Sequence, residues 1–254
     1  MRRILAVTTC NAEQWERYGR AMVTTFCRHW PSAVPLRVYA EGFTDIEQPV
    51  ECIALAVAAP WLPIWKALYR DPQYNGGSNG RDYRHDAVRF AHKVAAIGAA
   101  AEDADCDVLI WIDADVVTHA PVTAEWLDSL FPEPAVVAWL DRDNCYPECG
   151  FLMFRMPAAR KVIREVVKAY RNGAIFKLPE WHDSYVIQHV VQKSGVPVHS
   201  LSGPEGRKHR GHPWCSSELA SRTDHLKGEI RKAHGRSLRQ DIKLARPEPY
   251  WQER

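Results

Sequence analysis

Apolar positions along this chain fall into two alternating patterns: short continuous runs, and longer stretches in which they return every three or four residues. The first pattern marks strands buried on both faces, the second helices with one face turned inward. Residues 4–9 (Ile-Leu-Ala-Val-Thr-Thr) make the first run, with Thr8 and Thr9 at its end, and lead into Cys10 and Asn11. Asn11 is placed to cap a helix whose apolar spine is Trp15, Tyr18, Met22 and Phe26, with Pro31 beyond its end. Residues 36–40 and 52–55 read as a second and a third strand. A strand–helix–strand opening of this kind predicts the α/β class, with a mostly parallel, Rossmann-like sheet flanked by crossover helices.

The run that organises the rest is Val108-Leu109-Ile110-Trp111-Ile112, followed at once by Asp113-Ala114-Asp115-Val116-Val117. A strand cannot bury two ionised carboxylates without partners, so Asp113 and Asp115 belong where it leaves the core. In an open α/β sheet that exit is where ligands bind. Two hard oxygen donors there suit Mn²⁺ or Mg²⁺, and such a cation suits a diphosphate. The same spacing recurs at Asp103/Asp105, Asp105/Asp107 and Asp141/Asp143, so the tripeptide alone is weak. The apolar strand immediately before it singles out Asp113 and Asp115.

Upstream, Trp61-Leu62-Pro63-Ile64-Trp65 reads as a short helix or a packed loop, and residues 74–80 as a surface loop by composition. His85 to about Glu102 forms a helix with Val88, Ala91, Val94, Ala95 and Gly98 on its buried side. His85, Arg89 and Lys93 return every four residues as a basic stripe, with His92 beside them. Such a stripe is ordinarily a solvated face. This helix, however, feeds the strand of Asp113 through a short turn, which makes Arg89 and Lys93 candidate ligand contacts.

Downstream, Trp126-Leu127 marks a short helix and residues 135–140 a strand. Residues 149–154 make another strand, entered through Gly150, which permits either close approach of backbone to ligand or a tight turn. Pro157 opens a helix with Val162, Ile163, Val166, Val167 and Tyr170 inward, stopped at Asn172-Gly173. The segment Glu180-Trp181-His182-Asp183-Ser184 precedes a helix closed by Gly195, with Asp183 or Ser184 as its N-cap. Residues 196–198 form a short strand, and the chain then turns polar and irregular around His209, His212 and Trp214.

Composition changes this picture little. The net charge is +2, but from Lys227 onward eight Lys/Arg face four acids. A basic tail could meet nucleic acid or an anionic membrane surface, yet a local phosphate site needs fewer assumptions, and no nucleic-acid partner is expected. The seven cysteines, odd in number and without a CxxC, read as free thiols of a cytoplasmic protein. The apolar run after Arg2-Arg3 is too short for a secretory signal, and no stretch reaches the about 18 apolar residues of a membrane span.

Three features now occur in order: the strand ending in Asp113-Ala-Asp115, the Cys149-Gly150 strand, and His225-Leu226-Lys227-Gly228-Glu229-Ile230-Arg231-Lys232. Together they resemble metal-dependent nucleotide-sugar glycosyltransferases of the GT-A fold, most closely the retaining, glycogenin-like and bacterial galactosyltransferase-like family. That family carries an Asp-x-Asp, an Asn-Ser-Gly strand, an Asp-Gln-Asp segment and a late His-x-x-Gly-x-x-Lys. The resemblance implies Mn²⁺ or Mg²⁺ on Asp113, Asp115 and His225. It implies a diphosphate held by the Gly228 backbone with Arg231 and Lys232, and a nucleotide against Thr8 and Thr9. Gly150 then lies at the donor, while His182 and Asp183 face the transferred sugar as candidate catalytic groups. The donor implied is a UDP-sugar and the acceptor a glycan, a lipid-linked sugar or a protein. Residues 1–254 read as one domain, 1–118 its nucleotide-binding half and 119–254 its acceptor and metal-closing half.

Departures from the family pattern are a cysteine before Gly150, a single carboxylate in the third segment, and a lysine one residue late unless Arg231 takes its role. Two further readings compete. One is a haloacid-dehalogenase-type phosphatase, from the likeness of Ile112-Asp113-Ala-Asp115-Val116 to that nucleophile loop. The other is a nucleotide-sugar-binding protein without turnover.

Overall fold

The computed structural model describes residues 2–44, 46–208 and 211–243. Strand β1 (Ile4–Asn11) leads into α1 (Ala12–Gln14), a π-helical turn (Trp15–Gly19) and α2 (Arg20–His29), then β2 (Leu36–Glu41) and β3 (Glu51–Ala54). Helices α3 (Leu55–Ala58), α4 (Trp61–Leu68) and α5 (Ala87–Asp103) precede β4 (Val108–Ile112), β5 (Val116–Thr118) and α6 (Ala124–Ser129). Next come β6 (Val137–Arg142), β7 (Cys145–Arg155), α7 (Arg160–Arg171), α8 (Asp183–Ser194) and β8 (Val198–Ser200). Helix α9 (Gly203–Lys208), β9 (Thr223–His225), α10 (Glu229–His234) and a 3-10 turn (Arg239–Asp241) follow.

The main sheet has seven strands in the order β3-β2-β1-β4-β7-β6-β8, beside a two-stranded β5-β9 ribbon. Only β7 runs against its neighbours; every other pairing in the main sheet is parallel. The expected α/β class and mostly parallel sheet are therefore borne out. The chain builds outward from β1 to β3 and then returns to place β4 on the other side of β1. The crevice at the carboxyl ends of β1 and β4 is thus the switch point of the sheet.

All five residues of β4 are buried. Leu109 and Trp111 face a core shared with α5, α7 and α8, while Ile110 and Ile112 face the core under α2 and α6. Each such side chain contributes about 1.5–3 kcal/mol of burial, which fixes the strand and with it the position of Asp113 and Asp115 at its end. At β1, Asn11 and Gln14 form a capping box: each side chain bonds the other's backbone, at 2.9 and 3.0 Å.

Several local expectations shift. The segment 61–65 belongs to α4. His85 lies not in α5 but in the 3-10 turn before it, and Asp86 caps the helix. Lys93 is not on a solvated stripe: most of the circumference of α5 is packed, and this side chain points into the protein. The cap of α8 is His182 rather than Asp183 or Ser184, its ring accepting from the Tyr185 N–H at 3.4 Å. Pro157 precedes α7 by a turn, and β8 starts at Val198, with the Pro197 carbonyl accepting from Val136 and Val137 at its entry. Gly173 and Gly195 end their helices in the left-handed region, as expected. His209 and the end of the basic tail, with Arg246 and Arg254, lie outside the described residues. No helix among the described residues is long and apolar enough to cross a membrane.

Candidate active site

Beyond Ile112 the backbone turns: the Asp113 N–H donates to Gly150 O at 2.8 Å and the Val116 N–H to Asp113 O at 3.0 Å. β5 comes immediately after and pairs with β9 in a register that sets Val116 opposite His225. The Leu226 N–H donates to Asp115 O at 2.8 Å. Backbone register therefore carries a histidine from the end of the described chain to the two carboxylates. Ligand atoms of Asp113, Asp115 and His225 all lie within 4.8 Å of one another. His225 Nε2 is 3.2 Å from Asp115 Oδ1 and 3.9 Å from Asp113 Oδ2.

Two carboxylates and one imidazole form a donor set suited to Mn²⁺ or Mg²⁺. The charges agree with it. Lys93 pairs with Asp113 and Asp183, Lys232 with Asp115, and Glu148 faces His225 with the charge of Lys227 acting on it, so four carboxylates stand against three lysines, a negative excess that favours a cation. Burial works against a charge on the His225 imidazole, but Asp115 and Glu148 outweigh that and hold its pKa up at about 10. Burial likewise opposes ionisation of Asp115, yet His225 and Lys232 keep it well below the usual carboxylate range. Asp113 goes the other way, raised by burial against the pull of Lys93.

Lys93 is the second hub. Its Nζ bonds Asp113 Oδ1 at 3.1 Å and Asp183 Oδ2 at 2.8 Å, and also the Cys149 carbonyl. Burial penalises this ammonium, but Asp113 and Asp183 hold its pKa above the ordinary lysine value. Trp111 Nε1 donates to the same Asp113 oxygen at 2.6 Å, so the first carboxylate has a fixed rotamer.

The sequence candidates separate on this geometry. Gly150 contacts the site through its neighbours: a Cβ there would stand 2.9 Å from both His225 Cε1 and Glu148 Oε1. The close approach it permits is thus that of the histidine ring. Gly150→Ala is expected to weaken Mn²⁺ binding by about 10-fold or more and to cost about 1–3 kcal/mol of stability. Calorimetry and urea unfolding measure the two; unchanged metal affinity would contradict this account.

Lys232 and Arg231 part company. Lys232 Nζ lies 3.0 Å from Asp115 Oδ2 and 4.8 Å from the Tyr18 ring centre. Arg231 instead makes a bidentate pair with Asp241, at 2.6 and 2.8 Å, and is directed away from the carboxylates. Helix α10, opening on Gly228 with φ +82°, is tied to the π-helical turn by Arg17–Glu229 at 2.6 Å. Arg89 is exposed at the mouth, its guanidinium over Phe90 and its charge felt by Tyr18 and Glu229.

Asp183 is buried on Lys93. His182 is buried too, with Nε2 on Glu180 at 2.8 Å and the rings of Tyr83, Phe90 and Tyr146 around it. Thr9 Oγ1 reaches across to Tyr39 O at 2.6 Å and Glu41 at 2.9 Å, whereas the Thr8 hydroxyl is buried without a partner. Sequence reasoning missed Glu148 and Trp111. A lone carboxylate at the start of an otherwise apolar strand was the available signal for Glu148, since a buried charge needs a partner.

No family model matches the chain, and no curated protein matches it by sequence. By structure, the chain has the GT-A glycosyltransferase fold. The galactosyltransferase LgtC, solved with donor and acceptor sugar analogs, aligns over 98% of this chain and 100% of its own at 12% identity, with a TM-score of 0.56. Mouse xyloside xylosyltransferase 1 aligns at 12% identity over 79% of this chain and 84% of its own, with a TM-score of 0.48. A glycosyltransferase involved in the glycosylation of the major capsid of PBCV-1 aligns at 11% identity over 91% and 98%, also at 0.48.

Proposed function

We propose that this chain is a metal-dependent glycosyltransferase that moves a hexose from a nucleotide diphosphate sugar, a UDP-sugar, to a glycan, lipid-linked or protein acceptor. The observation that carries this reading is the convergence of Asp113, Asp115 and His225 at the switch point of a GT-A sheet. A divalent cation held there would neutralise charge developing on the leaving diphosphate. Lys232 stands beside Asp115 as a second positive group for that diphosphate. Lys93 fixes Asp113 and Asp183 to one ammonium, so the carboxylate assigned to the sugar is held in register with the metal ligands. Asp183 is the candidate for orienting the sugar, and His182, as the cap of α8, sets the backbone that presents it. Thr9, Gly228 and Arg89 border the space assigned to the nucleotide and diphosphate. Location of the carboxylates in a GT-A sheet weighs against the phosphatase reading.

Calorimetry of the protein with UDP, with and without Mn²⁺, tests the proposal. The expected result is metal-dependent binding on the order of micromolar, about −8 kcal/mol, much reduced in His225→Ala. Slow Mn²⁺-dependent hydrolysis of a UDP-sugar would then distinguish an enzyme from a binding protein without turnover. Failure to bind UDP, GDP or any other nucleotide under any divalent metal would sink the glycosyltransferase reading.

A further inference from the structure

Glu148 is one of the least exposed charged side chains in the molecule, 6% accessible at the start of a strand segment that is otherwise apolar. Its Oε1 accepts from the Gly150 N–H at 2.7 Å. Its Oε2 lies 3.5 Å from His225 Nδ1, an ion-pair distance, and among the described residues neither of these two buried atoms has a hydrogen-bond partner. The His225 ring is confined on its other sides as well. Gly150 supplies the space beneath it, Trp214 lies 5.1 Å away between ring centres, and His212 5.8 Å. Only the Nε2 edge faces Asp113 and Asp115.

We propose that Glu148 is a positioning residue of this site, holding the His225 imidazole through Nδ1–H so that Nε2 presents its lone pair to a divalent cation. The proposal rests on the metal-site reading above and adds a role for a side chain outside the three-residue cluster. The two ring nitrogens of a ligating histidine divide their work, one on the metal and the other on a carboxylate that fixes tautomer and orientation. Here the carboxylate stands on the Nδ1 edge and the two metal-type carboxylates on the Nε2 edge, which is that division. The local backbone is shaped for it. Pairing of β6 with β7 is irregular between Ala138↔Met153 and Leu140↔Glu148, an excess of residues on the β7 side. Such a bulge bends a strand and re-aims its side chains. Burial works against a charge on Glu148, but His225 first, and Lys227 after it, hold the carboxylate ionised.

The test is a cycle of Mn²⁺ affinities, measured by calorimetry on the whole chain, for wild type, Glu148→Ala, His225→Ala and the double variant. Glu148→Ala is expected to weaken Mn²⁺ binding by about 10- to 100-fold, the usual effect of removing the carboxylate behind a ligating histidine. Because Glu148 acts through His225, the same substitution made in His225→Ala should change affinity by less than about 2-fold. Glu148→Gln keeps an oxygen that can accept from Nδ1–H, and it should recover most of the loss. That recovery is not expected of a residue that merely fills space. An equal loss with and without His225, or wild-type affinity in Glu148→Ala, overturns the proposal. If Glu148→Ala does not fold by circular dichroism, Glu148→Met, which keeps much of the volume but offers no carboxylate to Nδ1–H, is put through the same cycle: a loss confined to the His225 background supports the role, and wild-type affinity or a loss independent of His225 refutes it. Absence of Mn²⁺ and Mg²⁺ binding in the wild type would overturn the metal-site reading itself, and this inference with it. That outcome is distinct from a wild type that binds metal and shows no Glu148–His225 coupling.

Discussion

Asp115→Ala is expected to remove Mn²⁺-dependent UDP binding, by at least about 100-fold, equivalent to about 2.7 kcal/mol. The substitution deletes one of the two carboxylates proposed to hold the metal, and it does more. Asp115 receives Lys232 at 3.0 Å on one oxygen and faces His225 at 3.2 Å on the other. Without it, two cationic groups are left side by side where the metal should enter, and their charge opposes the arriving cation. Asp115→Asn separates the two effects, keeping the volume while losing the charge; it should bind metal about as poorly as alanine with better-preserved unfolding. Calorimetry with UDP and Mn²⁺ reads the first quantity and thermal unfolding the second. Unchanged Mn²⁺-dependent UDP binding in Asp115→Ala would refute the assignment of the site.

The second large effect is expected at Lys93. Lys93→Met should destabilise the fold by about 3–5 kcal/mol, the cost of breaking a buried ion pair by removing one partner. Its ammonium is bonded to both Asp113 and Asp183, and its side chain is only 9% exposed. Removing it leaves two carboxylates sharing one packed space, of which Asp183 is 6% exposed. The double variant Lys93→Met/Asp183→Asn, which removes one of the stranded charges, should regain part of that loss. Urea unfolding measures both. A single variant as stable as wild type would show that Lys93 is solvated rather than the buried link between the two carboxylates.

The pattern of apolar positions was enough to locate the first strands, the long helix at 87–103, the run at 108–112 and the class of the fold. Those signals are local: burial on both faces yields an unbroken apolar run, and one-sided burial yields helical spacing. The pair Asp113/Asp115 was legible for the same reason, because it ends such a run. Yet Asp141 and Asp143 also end an apolar strand. The difference between the two pairs is not sequential: Asp141 takes the Trp139 indole at 2.7 Å and Asp143 pairs with Arg207 at 3.3 Å. Among the described residues, only the first pair meets an imidazole to form a metal-type cluster.

Spacing also made Lys93 one member of a basic stripe and left Arg231 and Lys232 interchangeable. The inward turn of Lys93 comes from how much of α5 is packed, and the choice of Lys232 from Asp241 claiming Arg231. Neither can be read from neighbours in the chain. The sequence by itself therefore determined most of the elements, the fold class and the carboxylate pair Asp113/Asp115, since these depend on interactions within a few residues. The resemblance named His225, but only tertiary structure brings it to those carboxylates, sets Glu148 beside its ring and joins Asp113 to Asp183 through Lys93. Each of those contacts depends on strand register and helix packing between segments 20 to more than 100 residues apart.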